Sequence, residues 1–185
     1  MADCRNNPHF TWQPLTLMTL RLILTRHAKS SWDDPTLDDH DRALNARGNV
    51  AANAIGAWLA QNRYCPETVF SSTSRRTSET WAHIAKHCNQ NAQVQFTSAL
   101  YLASPDRMLT ILQGCRARSA MLIGHNPGTG MLAAALVKSA PDHPKFSQYP
   151  SAATTVIGFD ADSWADIKLH SGHVEAFIVP RDLTD

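Results

Sequence analysis

The sequence predicts a three-layer α/β/α fold, a mostly parallel central sheet with helices on both faces. Three observations lead to it. Apolar runs of strand length alternate along the chain with segments of helical periodicity. Several of the runs are continuously apolar, as strands covered on both faces are. Three strand candidates also lead into loops or helix starts carrying arginine or histidine, and in open α/β sheets ligands bind beyond the carboxyl ends of the strands. With 185 residues and 43 % hydrophobic content, the chain suffices for one well-packed domain and is short for two.

Residues 1–17 read as an irregular or disordered extension. Asp3, Asn6, Asn7, Pro8 and Gln13 leave no apolar stretch for a signal peptide, and Met18 is a candidate translation start. The single domain then spans 18–185. Leu20-Arg21-Leu22-Ile23-Leu24 is the first strand and opens into Thr25-Arg26-His27-Ala28-Lys29-Ser30. A loop with five aspartates, Asp33, Asp34, Asp38, Asp39 and Asp41, follows as a solvated segment. Asn45 is a plausible N-cap for a helix with Ala51, Ala54, Ile55, Trp58 and Leu59 on one face.

Pro66 breaks that pattern before Thr68–Ser72, a strand rich in β-formers. The next helix carries Arg75 and Arg76 in its first turn and turns Thr77, Thr80, Trp81, Ile84 and Ala85 inward. Val94–Phe96 is a third strand, and Pro105–Leu112 a third helix. Ala120–Ile123 is a buried strand ending in Gly124-His125-Asn126-Pro127-Gly128, ahead of an apolar helix over Met131–Val137. Pro141, Pro144 and Pro150 punctuate a surface loop expected near the mouth of the site; Thr154–Phe159 and Val174–Val179 are the last strands.

Charge excludes some function classes. Seventeen Lys and Arg nearly cancel sixteen Asp and Glu, so no global field recruits nucleic acid or an anionic membrane. No run has the eighteen or so apolar residues of a membrane span. Cys4, Cys65, Cys88 and Cys115 are scattered without CxxC spacing, which reads as reduced thiols in a cytoplasmic protein. His83 and His87 are one helical turn apart but lack a third ligand, and read as surface residues; His170 and His173 read as turn residues. Trp58, Trp81 and Trp164 suit packing, while Trp32 either covers a pocket or anchors its loop.

The strand exits suggest the chemistry. A guanidinium forks onto two phosphoryl oxygens, and a neutral imidazole nitrogen can attack phosphorus. The strand-end rule puts Arg26, His27, Arg76 and His125 in one crevice. Lys29 and Arg42 are further candidates for holding the rest of an anionic substrate.

These residues resemble a known family. Arg26-His27 after the first strand, an arginine four before Thr80, and Gly124-His125-Asn126-Pro127-Gly128 resemble the histidine phosphatase superfamily. RHAKSSW, DRALNARG, SRRTSETW, LYLAS, GHNPG and VPRDL are similar to its small phosphohistidine phosphatase branch. The resemblance spans Met18 to Leu183 and implies a phosphoglycerate mutase-like fold, no cofactor and no metal. It makes His27 the nucleophile that becomes phosphorylated, Arg26 and Arg76 the phosphate-binding arginines, with the threonine register selecting Arg76 over Arg75, and His125 the second active-site histidine. It implies a phosphatase with protein phosphohistidine as favoured substrate. The alternatives are phosphatases of small phosphate esters or sugar phosphates and a non-catalytic phospho-ligand binding module. The expected partner is a phosphorylated protein or small phosphorylated molecule, and the chain is expected to be a monomer or weak dimer.

Two departures stand out. Ala28 replaces the superfamily's usual glycine, and no glutamate lies in Tyr101–Met108, where many members carry their proton donor; Asp106 is the only carboxylate there. In-line attack needs His27 neutral, its other ring nitrogen fixed by a backbone carbonyl, with Arg26, Arg76 and a protonated His125 meeting the phosphoryl charge. An ester's alkoxide needs an acid, whereas imidazole leaves once its distal nitrogen is protonated near pH 6.5, so the missing glutamate favours phosphoramidates. An aspartate of the acidic loop folding back over the site is the competing expectation.

Overall fold

Leu20–Arg26 forms strand β1, and its side chains explain why the run looks continuously apolar: Leu20, Leu22 and Leu24 enter one core while Ile23 enters another. The computed structural model describes residues 20–88 and 91–184, and the expectation for residues 1–17 lies outside them. Helix α1 (Ala46–Gln61) follows, then β2 (Thr68–Ser72), α2 (Arg75–Ile84), β3 (Gln93–Thr97), α3 (Pro105–Gln113), β4 (Ser119–Gly124), α4 (Gly128–Leu136), β5 (Thr154–Phe159), β6 (His173–Ile178) and α5 (Arg181–Thr184). The sheet order is β3-β2-β4-β1-β5-β6. β5 alone runs against the other strands, so the sheet is mixed and mostly parallel, as expected.

Two cores give the three layers. One packs Met108, Leu112, Leu132 and Leu136 of α3 and α4 against Leu22, Leu24 and Leu122. The other packs Ile55, Leu59, Trp81 and Ile84 of α1 and α2 against Ile23, Val69 and Met121. Each fully buried Leu or Ile contributes roughly 1.5–3 kcal/mol, so the layers are held mainly by these faces. Trp164 is buried as expected, its indole N–H donating to the Ala117 carbonyl at 2.6 Å.

Local signals behave as read at the helix starts. Asn45 caps α1 by accepting from the Gly48 N–H at 2.9 Å, and Ser104 caps α3. Helix α4 starts at Gly128, three residues before the apolar pattern; Gly128 lies against the Ala103 carbonyl, where a side chain has no room. The cysteine reading is corrected. Cys65, before β2, and Cys88, after α2, are joined in a disulfide across 23 residues, while Cys115 is free and buried. That pairing leaves no spacing motif, because tertiary packing of α1 on α2 creates it.

β1 and β4 pair in parallel as far as Arg26 and Gly124, so Arg26-His27 and His125 leave adjacent strands at the same end. β2 borders β4, placing Arg76 on the third side. β5 is antiparallel to β1, with Thr154 opposite Thr25, so the proline-containing loop before it reaches this end too.

Candidate active site

The backbone from His27 to Lys29 is tied to four neighbours. His27 N–H donates to the Gly124 carbonyl at 3.0 Å, and its own carbonyl accepts from Ala152 N–H at 3.1 Å. Ala28 N–H donates to Thr80 Oγ1 at 2.9 Å, which in turn donates to the Arg76 carbonyl at 2.6 Å. The Lys29 carbonyl accepts from Asn45 N–H at 3.0 Å, and Gly48 packs on it so closely that a Cβ would overlap it. The arginine-to-threonine spacing of α2 thus joins one helix to the phosphate-chemistry loop.

His27 is 9 % exposed, and its Nδ1–H donates to the Ala28 carbonyl at 2.7 Å, fixing the tautomer with the Nε2 lone pair free. Burial, with Arg76 and Arg26 adding to it against the pull of the Ala28 carbonyl, lowers its pKa to about 4. At neutral pH the ring is neutral, the state that in-line attack would require of it.

The imidazole of His125 lies 5.1 Å from that of His27, centroid to centroid. Its Nε2–H donates to Ser72 Oγ at 2.9 Å, and its Nδ1 faces the Arg76 Nη2 at 3.3 Å as an acceptor. Burial first, then the charges of His27 and Arg76, lower its pKa to about 3. In the ligand-free site the ring is therefore neutral at pH 7; the protonated form expected during phosphoryl transfer belongs to the substrate-bound site. A ring wedged between a hydroxyl and a guanidinium in a buried pocket cannot hold a second proton until an anion arrives to stabilise it.

The two arginines are held differently. Arg26 donates Nη1–H to the Tyr149 carbonyl at 3.0 Å, while its buried Nε–H has no partner. A buried unpaired donor on a cation is rare and costly, and an oxyanion would satisfy it. Tyr149 adopts a left-handed backbone (φ 43°), strained for a non-glycine residue; its hydroxyl donates to the Leu24 carbonyl at 2.8 Å, and its carbonyl also accepts from Asn126 Nδ2 at 2.9 Å. Arg76, 3 % exposed, donates to Asp39 twice: Nη2 to Oδ2 at 2.8 Å, and Nη1 to the Asp39 carbonyl.

Asp39 is the residue the sequence did not single out from its neighbours. Its half-exposed carboxylate accepts from Arg76, from Arg42 Nη1 at 2.9 Å and from the Tyr101 hydroxyl at 2.7 Å. The Tyr101 bond, then Arg76 and Arg42, hold its pKa down at about 2 against the opposing effect of partial burial. One acidic-loop aspartate does fold back onto the site, and it is ionised there. Asp106 lies in the first turn of α3 and is bonded to none of the four candidate residues.

Arg42 and Lys29 lie elsewhere. Arg42 is 7 % exposed, with Nε, Nη1 and Nη2 committed to the Ser31 carbonyl, Asp39 and Ser30, and its guanidinium stacks on Trp32. It is a strut of the acidic loop and reaches the site only through Asp39; Trp32, 76 % exposed, anchors that strut. Lys29 is exposed and points into a groove beside the site. His83 and His87 both contact Asn53. Among the described residues no three His, Cys, Asp or Glu side chains gather as metal ligands.

Comparison with known proteins bears on the family and the fold. A family model described as histidine phosphatase superfamily (branch 1) matches residues 22–101. An uncharacterized protein of Mycobacterium leprae is 32 % identical over 165 residues, 84 % of this chain and 99 % of that protein. An uncharacterized chloroplastic protein of Arabidopsis thaliana is 33 % identical over 152 residues, 74 % of this chain and 70 % of that one. Among solved structures, the candidate phosphohistidine phosphatase SixA of Nakamurella multipartitia is 25 % identical with a TM-score of 0.73, covering 87 % of this chain and 96 % of that one. A protein histidine phosphatase SixA complexed with tungstate shares the fold at 19 % identity and the same TM-score of 0.73, with 89 % and 100 % covered. From the family model, the near full-length relatives and the shared fold, the chain belongs to the histidine phosphatase superfamily, among its small SixA-like members.

Proposed function

We propose that the chain is a phosphatase acting through a phosphohistidine intermediate on His27 Nε2, with phosphohistidine on a protein as its substrate. The observation that carries this reading is the fixed tautomer of His27, which presents a free Nε2 lone pair in a pocket with two guanidinium groups and a second histidine. In the first step Nε2 attacks phosphorus as the bond to the leaving nitrogen breaks. Arg26, through its unpaired Nε–H, and Arg76 meet the charge spreading over the equatorial oxygens. His125 is neutral in the resting site; the phosphoryl charge raises its proton affinity, so it becomes a donor when substrate is present. In the second step water attacks the phosphorus on His27, releasing inorganic phosphate and restoring the imidazole.

The carboxylate at the site supports the substrate class. Asp39 is held ionised and cannot supply a proton in the resting site. An alkoxide leaves poorly without one, whereas an imidazole already protonated at its distal nitrogen leaves as a neutral ring. The chemistry runs on the side chains of the pocket and requires no metal.

Single-turnover trapping with labelled substrate tests the mechanism. The wild type is expected to accumulate an acid-labile, base-stable label that disappears in His27→Ala; label and turnover that both persist in that variant would falsify it. Comparing a phosphohistidine protein with alkyl phosphates and sugar phosphates tests the substrate. The expected preference in kcat/KM is at least a hundredfold, and equal values would assign the chain to ester hydrolysis.

A further inference from the structure

Beside the phosphate pocket the same end of the sheet carries a second concavity whose chemistry differs from the first. It is an open groove bounded by Lys29 after β1, the first turns of α1, the proline-containing loop before β5 and the residues after β6. The strand register puts all of these at the His27 end, since Thr25 pairs with Thr154 and Thr154 with Ile178. The wall shared by the two sites is the segment around Tyr149, whose carbonyl holds Arg26 and whose neighbours Gln148 and Pro150 line the groove.

The lining is cationic around an apolar surface. Lys29, Arg47, Lys145 and Arg181 surround Val50, Pro144 and Val179, with Val50 61 % exposed. The whole chain is nearly neutral, at +1, so this concentration is local. Its one acid, Asp182, is occupied: it accepts from the Val179 N–H at 2.9 Å and lies 3.4 Å from His143 Nε2. Among the described residues Lys29, Arg47, Lys145 and Arg181 form no ion pair with a carboxylate, and the Lys145 ammonium donates to the Gln148 amide oxygen at 3.1 Å. Arg75 and Arg21, by contrast, are paired with Glu79 and Glu175.

Resting on the reading that the substrate is a phosphoprotein, we infer that this groove docks an acidic amphipathic segment of that protein, adjoining the residue whose phosphoryl group enters the His27 pocket. Unpaired cations around the exposed Val50 and Pro144 match a segment presenting carboxylates on its flanks and apolar residues toward the floor. The groove is separated from the phosphate pocket by backbone, so a ligand there leaves the reacting group free. Docking of this kind selects among phosphoproteins, while small substrates bypass it.

Two measurements on the full chain test this. The first is fluorescence anisotropy with a labelled sixteen-residue peptide carrying Leu at helical i, i+3, i+4 spacing and Glu elsewhere, with a version in which Lys replaces Glu as control. The expected result is binding of the Glu peptide alone, weakening with added salt, and lost in the double variant Arg47→Glu, Arg181→Glu. Both residues are exposed, and wild-type circular dichroism checks the fold of the variant. No binding, or equal binding of both peptides, overturns the inference whatever the enzyme's substrate proves to be. The second is kinetic: the double variant should lose about tenfold or more in kcat/KM on an acidic phosphohistidine protein, carried by KM, with p-nitrophenyl phosphate turnover unchanged within twofold. Equal loss on both substrates, or on neither, also overturns the groove. Failure of the wild type to hydrolyse any phosphohistidine protein, with peptide binding intact, instead rejects the substrate reading.

Discussion

Asp39→Asn is the most informative single substitution, because Asp39 occupies Arg76, the arginine that the proposed chemistry gives to the phosphoryl group. In the resting site both terminal nitrogens of Arg76 donate to Asp39, and the carboxylate also holds Arg42 and Tyr101. An arriving oxyanion meets a guanidinium already matched by a negative charge. Two unit charges ~5–6 Å apart at an effective dielectric of ~40, suited to a carboxylate 48 % exposed, repel by about 1.5 kcal/mol, and a dianion by about twice that. Asparagine keeps the volume and one acceptor but loses the charge, and the looser tether to Tyr101 and Arg42 returns about 1 kcal/mol. The net is about 1.5–2 kcal/mol, so tungstate should inhibit Asp39→Asn at concentrations about tenfold lower or more than it does the wild type, measured as a competitive constant at pH 7. Weaker inhibition of the variant would refute the reasoning. It would mean that Asp39 serves by orienting Arg76 and that its charge opposes the ligand little.

Other consequences follow from the same coordinates. His27 and His125 have pKa values lowered to about 4 and about 3; attack needs His27 neutral, so the loss of kcat/KM from protonating the nucleophile should come only as pH drops through about 4, and an acid limb with its midpoint near 6.5 would contradict the burial argument. For stability the sign is the same for both: below pH 6.5 the unfolded histidines bind protons that the folded ones refuse, so denaturant titrations should show stability falling as pH goes from 6.5 toward 4, by roughly 3 kcal/mol for His27. The contribution of Asp39, whose pKa is depressed, persists above about pH 4 and is lost as pH falls through about 2, a loss absent in Asp39→Asn. Gly48→Ala should cost about 2 kcal/mol or more in urea unfolding and lower kcat as well, because the added Cβ displaces the Lys29 carbonyl next to the nucleophile. Reducing Cys65–Cys88 should lower stability by about 3 kcal/mol for a loop of 23 residues while leaving turnover unchanged, since Cys65 precedes β2 at the sheet end opposite His27; loss of turnover at unchanged stability would contradict it.

The parts of the fold legible in the sequence were those that depend on local pattern. Leu20–Leu24 and Ala120–Ile123 are apolar throughout because both faces of their strands are covered, and Asn45 announces the start of α1 by a bond within one turn. The gathering of Arg26, His27, Arg76 and His125 followed from strand order, which the alternation of elements constrains. What escaped depends on distant contacts. Five aspartates in one loop are chemically alike, and only the position of Tyr101, 62 residues away, singles out Asp39. Arg42 looked like a ligand-facing cation because its three protein acceptors and the Trp32 stack are invisible without the loop's path. The resting charge of His125 was illegible for a related reason: its residue type does not reveal that burial between Ser72 and Arg76 lowers its pKa in the ligand-free site.

The site divides into a rigid part and an adjustable part. The peptide groups of residues 27–29 are bonded to Gly124, Ala152, Thr80 and Asn45, from β4, the loop before β5, α2 and the start of α1, so moving His27 means breaking bonds to four segments at once. In-line attack tolerates little misalignment, and this bracing keeps Nε2 in place without any contribution from substrate. The acidic loop is fastened differently: apart from the bond from Arg76 to its backbone carbonyl, Asp39 reaches the site through its half-exposed carboxylate, whose bonds exchange with water and with a phosphoryl group at low cost. If the groove docks the phosphoprotein as proposed, substrate selection falls to the loop and to that groove. Substitutions in either should change KM and the range of substrates before kcat, whereas substitutions at Thr80, Gly48 or Tyr149 should change kcat with little effect on which phosphoryl donor is preferred.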